Sequence, residues 1–317
     1  MENLPWTPFL LTDPALGRDP RSVRRLVARG AVRRVLRGVG VRAEVADSLL
    51  LRAQAAALVL GPGQVVCDYS AAWLHGVDVG PGRPGRGPDV LDVASVAGRR
   101  ATRREDADGC RRTVAPDEVT RVHGVAVTTP LRTAADLACR WGRGDAMAAL
   151  DAFARLHQVD AEAHRPMVAR FAGRRGVTQY RELVARIDPR AESPRESWLR
   201  LTAHDHGFTD LEPQVDTWVE GYGWARLDLA DRRRRIALEY DGADVHGDDQ
   251  KQADDEERRA LMVRDGWVFV VVRGGGFVEP GLGRWMGELR AAYDDRARGA
   301  GRRYARGEGA GRHPRRG

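Results

Sequence analysis

Two carboxylates in the C-terminal third of the chain have the spacing of a metal-binding pair on a β-hairpin. Residues 224–241 alternate between apolar and polar side chains on either side of a polar turn at 231–234. That turn would place Asp228 opposite Ala237, with Glu239 diagonal to Asp228 and about 7–8 Å away between Cα atoms. Two carboxylates at that distance can share one Mg²⁺ or Mn²⁺ ion, because such ions prefer oxygen ligands. The ion would activate a water molecule to hydrolyse a phosphodiester.

The same alternation predicts which side chains of the hairpin face a core. Successive side chains of a strand point to opposite faces, and a slip of one residue would reverse every one of them. The apolar sets of the two strands must therefore share the core face, which leaves Asp228 and Glu239 together on the other. The residues expected on the core face are Leu227, Leu229, Ile236, Leu238 and Tyr240.

Alternation alone leaves a second interpretation of these acids open. Asp228, Glu239 and Asp241 could be solvated residues of an outer face that balance the neighbouring arginines. In that case the hairpin would carry no chemistry.

Several short motifs surround the two acids in a fixed order. They are residues 193–200, 212–215, 225–230 and 237–242, then His246, Arg258, Arg259, Leu261 and residues 266–268. Together they resemble the Vsr-like branch of the PD-(D/E)XK nuclease superfamily. The resemblance implies a mixed β-sheet flanked by helices, with Asp228 and Glu239 as metal ligands and Glu196 as a third acid.

The chain departs from that superfamily at one position. Asp241 stands where the superfamily usually has a lysine, which orients the attacking water or stabilises developing charge. His246, Lys251 or Arg258 could supply the missing cation from the following segment. Without such a substitute, the resemblance implies a domain that binds nucleic acid and does not cut it.

Glu196 also has a structural interpretation. Ser193, Pro194 and Glu196 form the pattern of a capping box with proline at the first helical position. Glu196 would then accept a hydrogen bond from the backbone N–H of Ser193. Capping and catalysis are compatible roles.

The N-terminal region is strongly basic, with nine arginines and one acid between Arg18 and Arg42. A helix from Pro20 to Gly30, followed by a β-ribbon around Arg37, predicts a winged helix that binds DNA. The arginines expected to contact phosphate are Arg21, Arg24, Arg25, Arg29, Arg33 and Arg34. The alternative is a solvated helix in an arginine-biased proteome, since Lys251 is the only lysine of the chain.

Further motifs in the N-terminal half resemble the AbiEi-type antitoxins of type IV toxin–antitoxin systems. They are residues 27–30, 34–39, 69–72, 74–76 and 127–136. The resemblance implies sequence-specific DNA binding, repression of the protein's own operon and a cognate toxin as a possible partner.

The length and composition of the chain limit which domain architectures are possible. A chain of 317 residues predicts two or three domains. We expect an α/β (α+β) chain with a winged helix at 1–42, an antitoxin-like domain at 43–190 and a nuclease-fold domain at 193–293. Residues 294–317 hold eight arginines among small residues, so we expect a disordered basic tail.

Other features concern partners and compartment. The net charge of +7 favours a polyanion such as DNA as partner. Cys67, Cys110 and Cys139 form no disulfide or zinc motif, which favours a reducing cytoplasm. No apolar run is long enough to span a membrane, so no membrane partner is expected.

Two functional hypotheses follow. The first is a DNA-binding protein whose C-terminal domain hydrolyses phosphodiesters with Mg²⁺. The alternative is a non-catalytic antitoxin or autorepressor with a degenerate nuclease fold. The feature expected to separate them is whether a Lys, Arg or His side chain reaches the site of Asp228 and Glu239.

Overall fold

A computed structural model describes residues 4–14, 20–80, 87–95, 107–242 and 249–307 of the chain, with backbone only at 20, 21, 111, 249–253 and 300–307. The chain divides into two units, Met1–Pro189 and Arg190–Gly317. Each combines helices with β-sheet, so the predicted α+β class is confirmed.

The first unit begins with a small antiparallel sheet beside one helix. Its elements are β1 (Phe9–Leu10), α1 (Pro20–Ala28), β2 (Val32–Leu36) and β3 (Val39–Arg42). The strand order is β1-β3-β2, and Val23 of α1 packs with Val32 and Phe9. The predicted helix and ribbon are therefore present, although α1 is the only α-helix among the described residues of 4–42.

The rest of this unit is a five-stranded sheet with helices. Its elements are α2 (Leu49–Val59), β4 (Gln64–Val66), α3 (Asp68–Leu74), β5 (Leu91–Ser95), β6 (Ala107–Arg111), β7 (Val119–Val122), β8 (Val125–Thr128), α4 (Pro130–Arg140), α5 (Arg143–His157), α6 (Ala161–Arg170) and α7 (Val177–Val184). The strand order is β6-β5-β4-β8-β7, with parallel and antiparallel pairs. β7 and β8 form a hairpin, because His123 and Gly124 take left-handed conformations and turn the chain.

One apolar core joins the two parts of the first unit. Leu36 and Val39 of the N-terminal sheet lie in the same buried cluster as Leu51 of α2 and Val66 and Leu91 of the larger sheet. The N-terminal ribbon is thus packed on the middle region.

The second unit is a four-stranded mixed sheet flanked by helices. Its elements are α8 (Pro194–Asp205), β9 (Glu212–Val219), β10 (Gly223–Asp231), β11 (Ile236–Tyr240), α9 (Asp249–Arg264), β12 (Val268–Val272) and α10 (Gly281–Gly307). The strand order is β12-β11-β10-β9, and β11 and β12 are parallel. Leu199 of α8 and Leu289 of α10 share one core with Leu238, while Met262 of α9 lies in a second core with Ala237.

The predicted register of the β10–β11 hairpin is wrong by two residues. Ala230 pairs with Ala237 and Asp231 with Ile236, so the turn begins one residue later than expected. The physical reason is Asp231, whose buried carboxylate accepts a hydrogen bond from the backbone N–H of Arg234 at 2.9 Å. Extending this register puts Asp228 directly opposite Glu239 rather than diagonal to it.

The expected apolar face of β10 also needs correction. Leu229 packs with Ile236 and Leu238 as predicted, but Leu227 lies in the other cluster, with Val215. The alternation breaks at Asp228, close to Gln214 of β9, which has a φ of 53°.

The last helix extends beyond the predicted end of the domain. α10 continues to Gly307, so the first part of the tail expected to be disordered is helical. Arg296 explains part of this difference, since its guanidinium donates a hydrogen bond to the carbonyl of Gly266 at 2.5 Å. Residues 308–317 lie outside the described residues.

Two glycines of the first unit provide a test of the packing between α4 and α7. Gly173 and Gly176 both have positive φ, but only at Gly176 would a Cβ meet another atom, the Cys139 carbonyl oxygen at 2.0 Å. Gly173→Ala should cost about 1–2 kcal/mol from backbone strain. Gly176→Ala should cost about 3–5 kcal/mol, because a steric clash adds to that strain. Urea unfolding measures both, and equal losses of stability would contradict the close approach of Gly176 to α4.

Candidate functional site

The second unit brings Glu196 and Glu239 into electrostatic range of Asp228. Asp228 lies in β10, Glu239 in the neighbouring β11 and Glu196 in the first turn of α8. The charges of Glu196 and Glu239 both act on Asp228. The structure therefore groups the acids that the sequence singled out.

Glu239 is held by two arginines of α9. Arg258 donates from Nη1 to Oε1 at 3.1 Å and from Nη2 to Oε2 at 3.4 Å, and Arg259 donates from Nε to Oε2 at 3.0 Å. Glu239 is 4% exposed and Arg258 9% exposed. A buried charge needs an opposite charge and hydrogen bonds, and this arrangement supplies both. Glu239 is therefore not a solvated outer-face residue.

Asp228 has a different environment. Its Oδ2 accepts a hydrogen bond from the backbone N–H of Tyr240 at 3.0 Å. Burial raises the pKa of Asp228 to about 6, and the negative charges of Glu196 and Glu239 add to the rise. The carboxyl group thus titrates closer to neutral pH than an ordinary aspartate does.

Glu196 takes part in a cap, but not the expected one. Ser193 Oγ accepts from the backbone N–H of Glu196 at 3.2 Å, as a capping serine should. The Glu196 carboxylate binds the N–H of Glu192 at 2.9 Å instead of that of Ser193. The same Oε2 atom accepts from Gln214 Nε2 at 2.7 Å, which ties the start of α8 to β9.

Asp241, two residues beyond Glu239, also forms an ion pair with an arginine. Asp241, which stands in place of the usual lysine, accepts from Arg273 Nε at 3.3 Å. His246 lies outside the described residues, and Lys251 is described only as part of the α9 backbone. The catalytic roles expected of His246 and Lys251 therefore stay predictions.

The three acids do not fit a divalent cation as they are arranged. Among the described residues, the only His, Cys, Asp or Glu side chains that bring three ligand atoms within 4.8 Å of one another are Cys67, Asp68 and Cys110. Both oxygens of Glu239 already accept hydrogen bonds from guanidinium groups. A cation at Glu239 would therefore compete with Arg258 and Arg259 for these oxygens and would lie beside their positive charges.

The basic residues of the N-terminal region divide into two groups. Arg24, Arg25, Arg29 and Arg34 are exposed on α1, just after it, and on β2. Arg33 is half-buried, and its Nη2 donates to the carbonyl of Val45 at 2.9 Å, which is a structural role. The side chain of Arg21 lies outside the described residues.

A buried ion network in the first unit was missed by the sequence interpretation. Arg132 of α4 is fully buried and binds Glu118 and Asp136, the latter from Nε at 2.8 Å. Arg112 links Asp136 to Asp68. It donates one hydrogen bond of 2.9 Å to Asp136 and two hydrogen bonds of 2.8 Å to Asp68. Thr129 and Pro130 give the sequence signal for the start of α4, but no spacing indicates that its arginine is buried.

The five-stranded region around this network matches a known family. Residues 64–186 match the family model of the AbiEi antitoxin C-terminal domain. Two proteins from separate strains of Mycobacterium tuberculosis, MT2308 and Rv2248, both named as uncharacterized, are each 31% identical to the chain over 277 residues. The alignments cover 83% of this chain and 93% of each relative.

The chain belongs to the family of these proteins. Its AbiEi-type domain runs from β4 to just beyond α7 and contains the whole network of Asp68, Arg112, Glu118, Arg132 and Asp136. The antitoxin resemblance is thereby confirmed over residues 64–186, while the motifs at 27–30 and 34–39 lie outside the matched range. No helix among the described residues is long and apolar enough to cross a membrane.

Because the pKa of Asp228 is raised, replacing it by an uncharged residue should change the stability of the protein by an amount that depends on pH. A carboxyl group whose pKa rises on folding stabilises the fold below its unfolded pKa, and this stabilisation is lost as the pH rises through the folded pKa near 6. Asp228→Asn should therefore gain about 2–3 kcal/mol of stability relative to the wild type between pH 4 and pH 7.5. Urea unfolding of both proteins at the two pH values measures the difference.

Asp216→Asn is the matched control in the neighbouring strand. The hydrogen bond from Arg226 lowers the pKa of Asp216, so this variant should lose stability relative to the wild type as the pH rises. A stability difference for Asp228→Asn that does not change with pH would contradict the environment described for Asp228.

Proposed function

We propose that this protein is an antitoxin-type, DNA-binding regulator whose C-terminal acidic site does not hydrolyse nucleic acid. The observation that carries the proposal is the match of residues 64–186 to the AbiEi antitoxin C-terminal domain. A cognate toxin encoded in the same operon is the protein partner that this family membership suggests. DNA upstream of the operon is the expected nucleic-acid partner.

The exposed arginines of the N-terminal region support the DNA-binding part of the proposal. Arg24 and Arg25 lie on the exposed side of α1, Arg29 follows the helix, and Val23 on the opposite side is buried. Guanidinium groups in such positions bind phosphate oxygens and position a protein on DNA. Base-specific contacts would have to come from other residues.

The state of Glu239 supports the non-catalytic part. A cation near Asp228 and Glu239 is the feature expected of an active nuclease, and Arg258 and Arg259 do reach that site. However, both bind Glu239 itself. They neutralise the carboxylate that a catalytic metal would need, so the site is stable without an ion.

A metal-dependent endonuclease is the second candidate function. The observation in its favour is the convergence of Asp228, Glu196 and Glu239, with burial and like charges raising the pKa of Asp228. Groups with shifted pKa values collect at catalytic sites, although structural ion pairs also shift them. This candidate requires that Mg²⁺ or Mn²⁺ open the pairs between Glu239 and the arginines.

A reporter experiment tests the proposed regulation. A promoter fragment from upstream of the protein's own operon drives the reporter, and the full-length chain is supplied from a second plasmid. We expect reduced expression from this promoter and unchanged expression from an unrelated promoter of similar length. Equal expression with and without the protein would contradict autorepression.

Binding to DNA phosphates predicts a steep dependence of affinity on salt. On a log–log plot of affinity against salt concentration, each phosphate contact contributes about 0.9 to the slope. Replacing Arg24, Arg25 and Arg29 by Ala should weaken binding to a duplex and flatten this slope. Fluorescence anisotropy over a series of salt concentrations measures both effects.

Arg165→Ala is the matched control for these substitutions. Arg165 lies on α6 of the same unit, its side chain is 75% exposed, and it pairs with Glu162 of the same helix. This variant should bind DNA with the affinity and slope of the wild type. If the α1 variants kept the full slope, their arginines could not be the phosphate contacts.

A further inference from the structure

Two cysteines of the AbiEi-type domain lie side by side in the fold although they are 43 positions apart in the sequence. Cys67 follows β4 at the start of α3, and Cys110 lies in β6. Their Sγ atoms are 4.0 Å apart. Cys67 is fully buried, whereas Cys110 is partly exposed, so a small solute can reach Cys110 first.

A fixed positive charge stands next to this pair. Arg112, two residues beyond Cys110, is held by Asp68 through two hydrogen bonds of 2.8 Å and by Asp136 at 2.9 Å. Arg140 donates to Asp68 at 2.9 Å from the end of α4. The guanidinium groups are thus fixed by acids and favour a negative charge on the neighbouring sulfur.

The surroundings shift the pKa values of the two thiols in opposite directions. The hydrogen bond from Cys67 lowers the pKa of Cys110 to about 7, with help from Arg112 and Arg140 and against the effects of burial and Asp68. The same hydrogen bond, burial and the charge of Asp68 raise the pKa of Cys67. The thiolate therefore forms on the exposed partner, and the proton stays on the buried one.

The group is not arranged as a cation site, although Cys67, Asp68 and Cys110 lie close together. Arg112 binds both carboxylate oxygens of Asp68, and Arg140 binds one of them. A metal ion would have to displace both arginines from Asp68 and would lie beside their positive charges. Chemistry at sulfur fits the surroundings better.

We propose that Cys110 is a peroxide-reactive thiolate and that Cys67 is its resolving partner, so that the two form a reversible intramolecular disulfide. The Cys110 sulfur attacks one oxygen of hydrogen peroxide, the O–O bond breaks, and the released hydroxide takes a proton to become water. Cys110 is then a sulfenic acid.

The second step closes the disulfide. The Cys67 thiol gives up its proton and its sulfur attacks the Cys110 sulfur, which breaks the S–O bond and releases a second water molecule. In total the two thiols lose two electrons and two protons, and the peroxide is reduced to water. The sulfur atoms must move from 4.0 Å to about 2.05 Å apart. Among the described residues β6 is an edge strand that pairs with β5, which leaves Cys110 room to shift.

Cys139 is a matched control within the same domain. It is also partly exposed, but burial and the charge of Asp136 raise its pKa to about 11. A lower thiolate fraction outweighs the greater intrinsic nucleophilicity of a more basic thiol. At pH 7, iodoacetamide should therefore alkylate Cys110 of the reduced full-length protein at least about tenfold faster than Cys139.

Peptide mapping by mass spectrometry after treatment with hydrogen peroxide tests the disulfide. Wild type and Cys139→Ser should each yield a Cys67–Cys110 linked peptide that a thiol reductant removes. Cys67→Ser should instead accumulate a dimedone adduct on Cys110, and Cys110→Ser should give neither product.

Two results would overturn the proposal. One is equal alkylation of Cys110 and Cys139 in the wild type, a measurement that needs no variant to fold. The other is a dimedone adduct on Cys110 of the wild type without a linked peptide, which would exclude Cys67 as the resolving partner.

Discussion

The buried carboxylate of Glu239 and the two guanidinium groups that bind it determine the electrostatics of the second unit. Glu239 lies on β11, and its partners Arg258 and Arg259 lie on α9, the helix that connects β11 to the parallel strand β12. Removing either side of a buried pair leaves an uncompensated charge, which costs about 3–5 kcal/mol. The ion pair therefore fixes α9 against the sheet and engages both oxygens of Glu239 in hydrogen bonds.

The environment of Asp228 also bears on whether this site could catalyse a reaction. The Asp228 carboxylate accepts a hydrogen bond from the backbone N–H of Tyr240, and its pKa is raised to about 6. A bound cation would lower that pKa; Arg258 lowers it in part, but burial and the charges of Glu196 and Glu239 outweigh its effect. These two environments are the basis for proposing that the site has a structural role.

The AbiEi-type domain uses the same physical solution on a larger scale. Arg132 is fully buried between Glu118 and Asp136, and Arg112 continues the network to Asp68. In a chain with a single lysine, arginine content alone indicates little about function. The positions of the arginines separate those buried in ion networks from the exposed ones on α1 that we propose bind DNA.

Local sequence signals predicted much of the secondary structure. Thr129 and Ser193 begin helices as caps, each followed by proline, and the β10–β11 hairpin appears where alternation predicts it. The register could not be predicted, because it depends on how the side chain of Asp231 closes the turn. Pairings between distant segments were also beyond reach, since only the completed sheets bring Cys67 to Cys110 and Arg258 to Glu239.

The most direct test of the proposed function is a single incubation of the full-length protein with a supercoiled plasmid that carries the upstream DNA of its own operon. Mn²⁺ is present, and Asp228→Ala is assayed in parallel. If the arginines have replaced the metal at Glu239, the wild type binds the plasmid and leaves it supercoiled, as the variant does. Nicked or linear plasmid that appears with the wild type and not with Asp228→Ala would contradict a non-catalytic regulator and establish a metal-dependent nuclease.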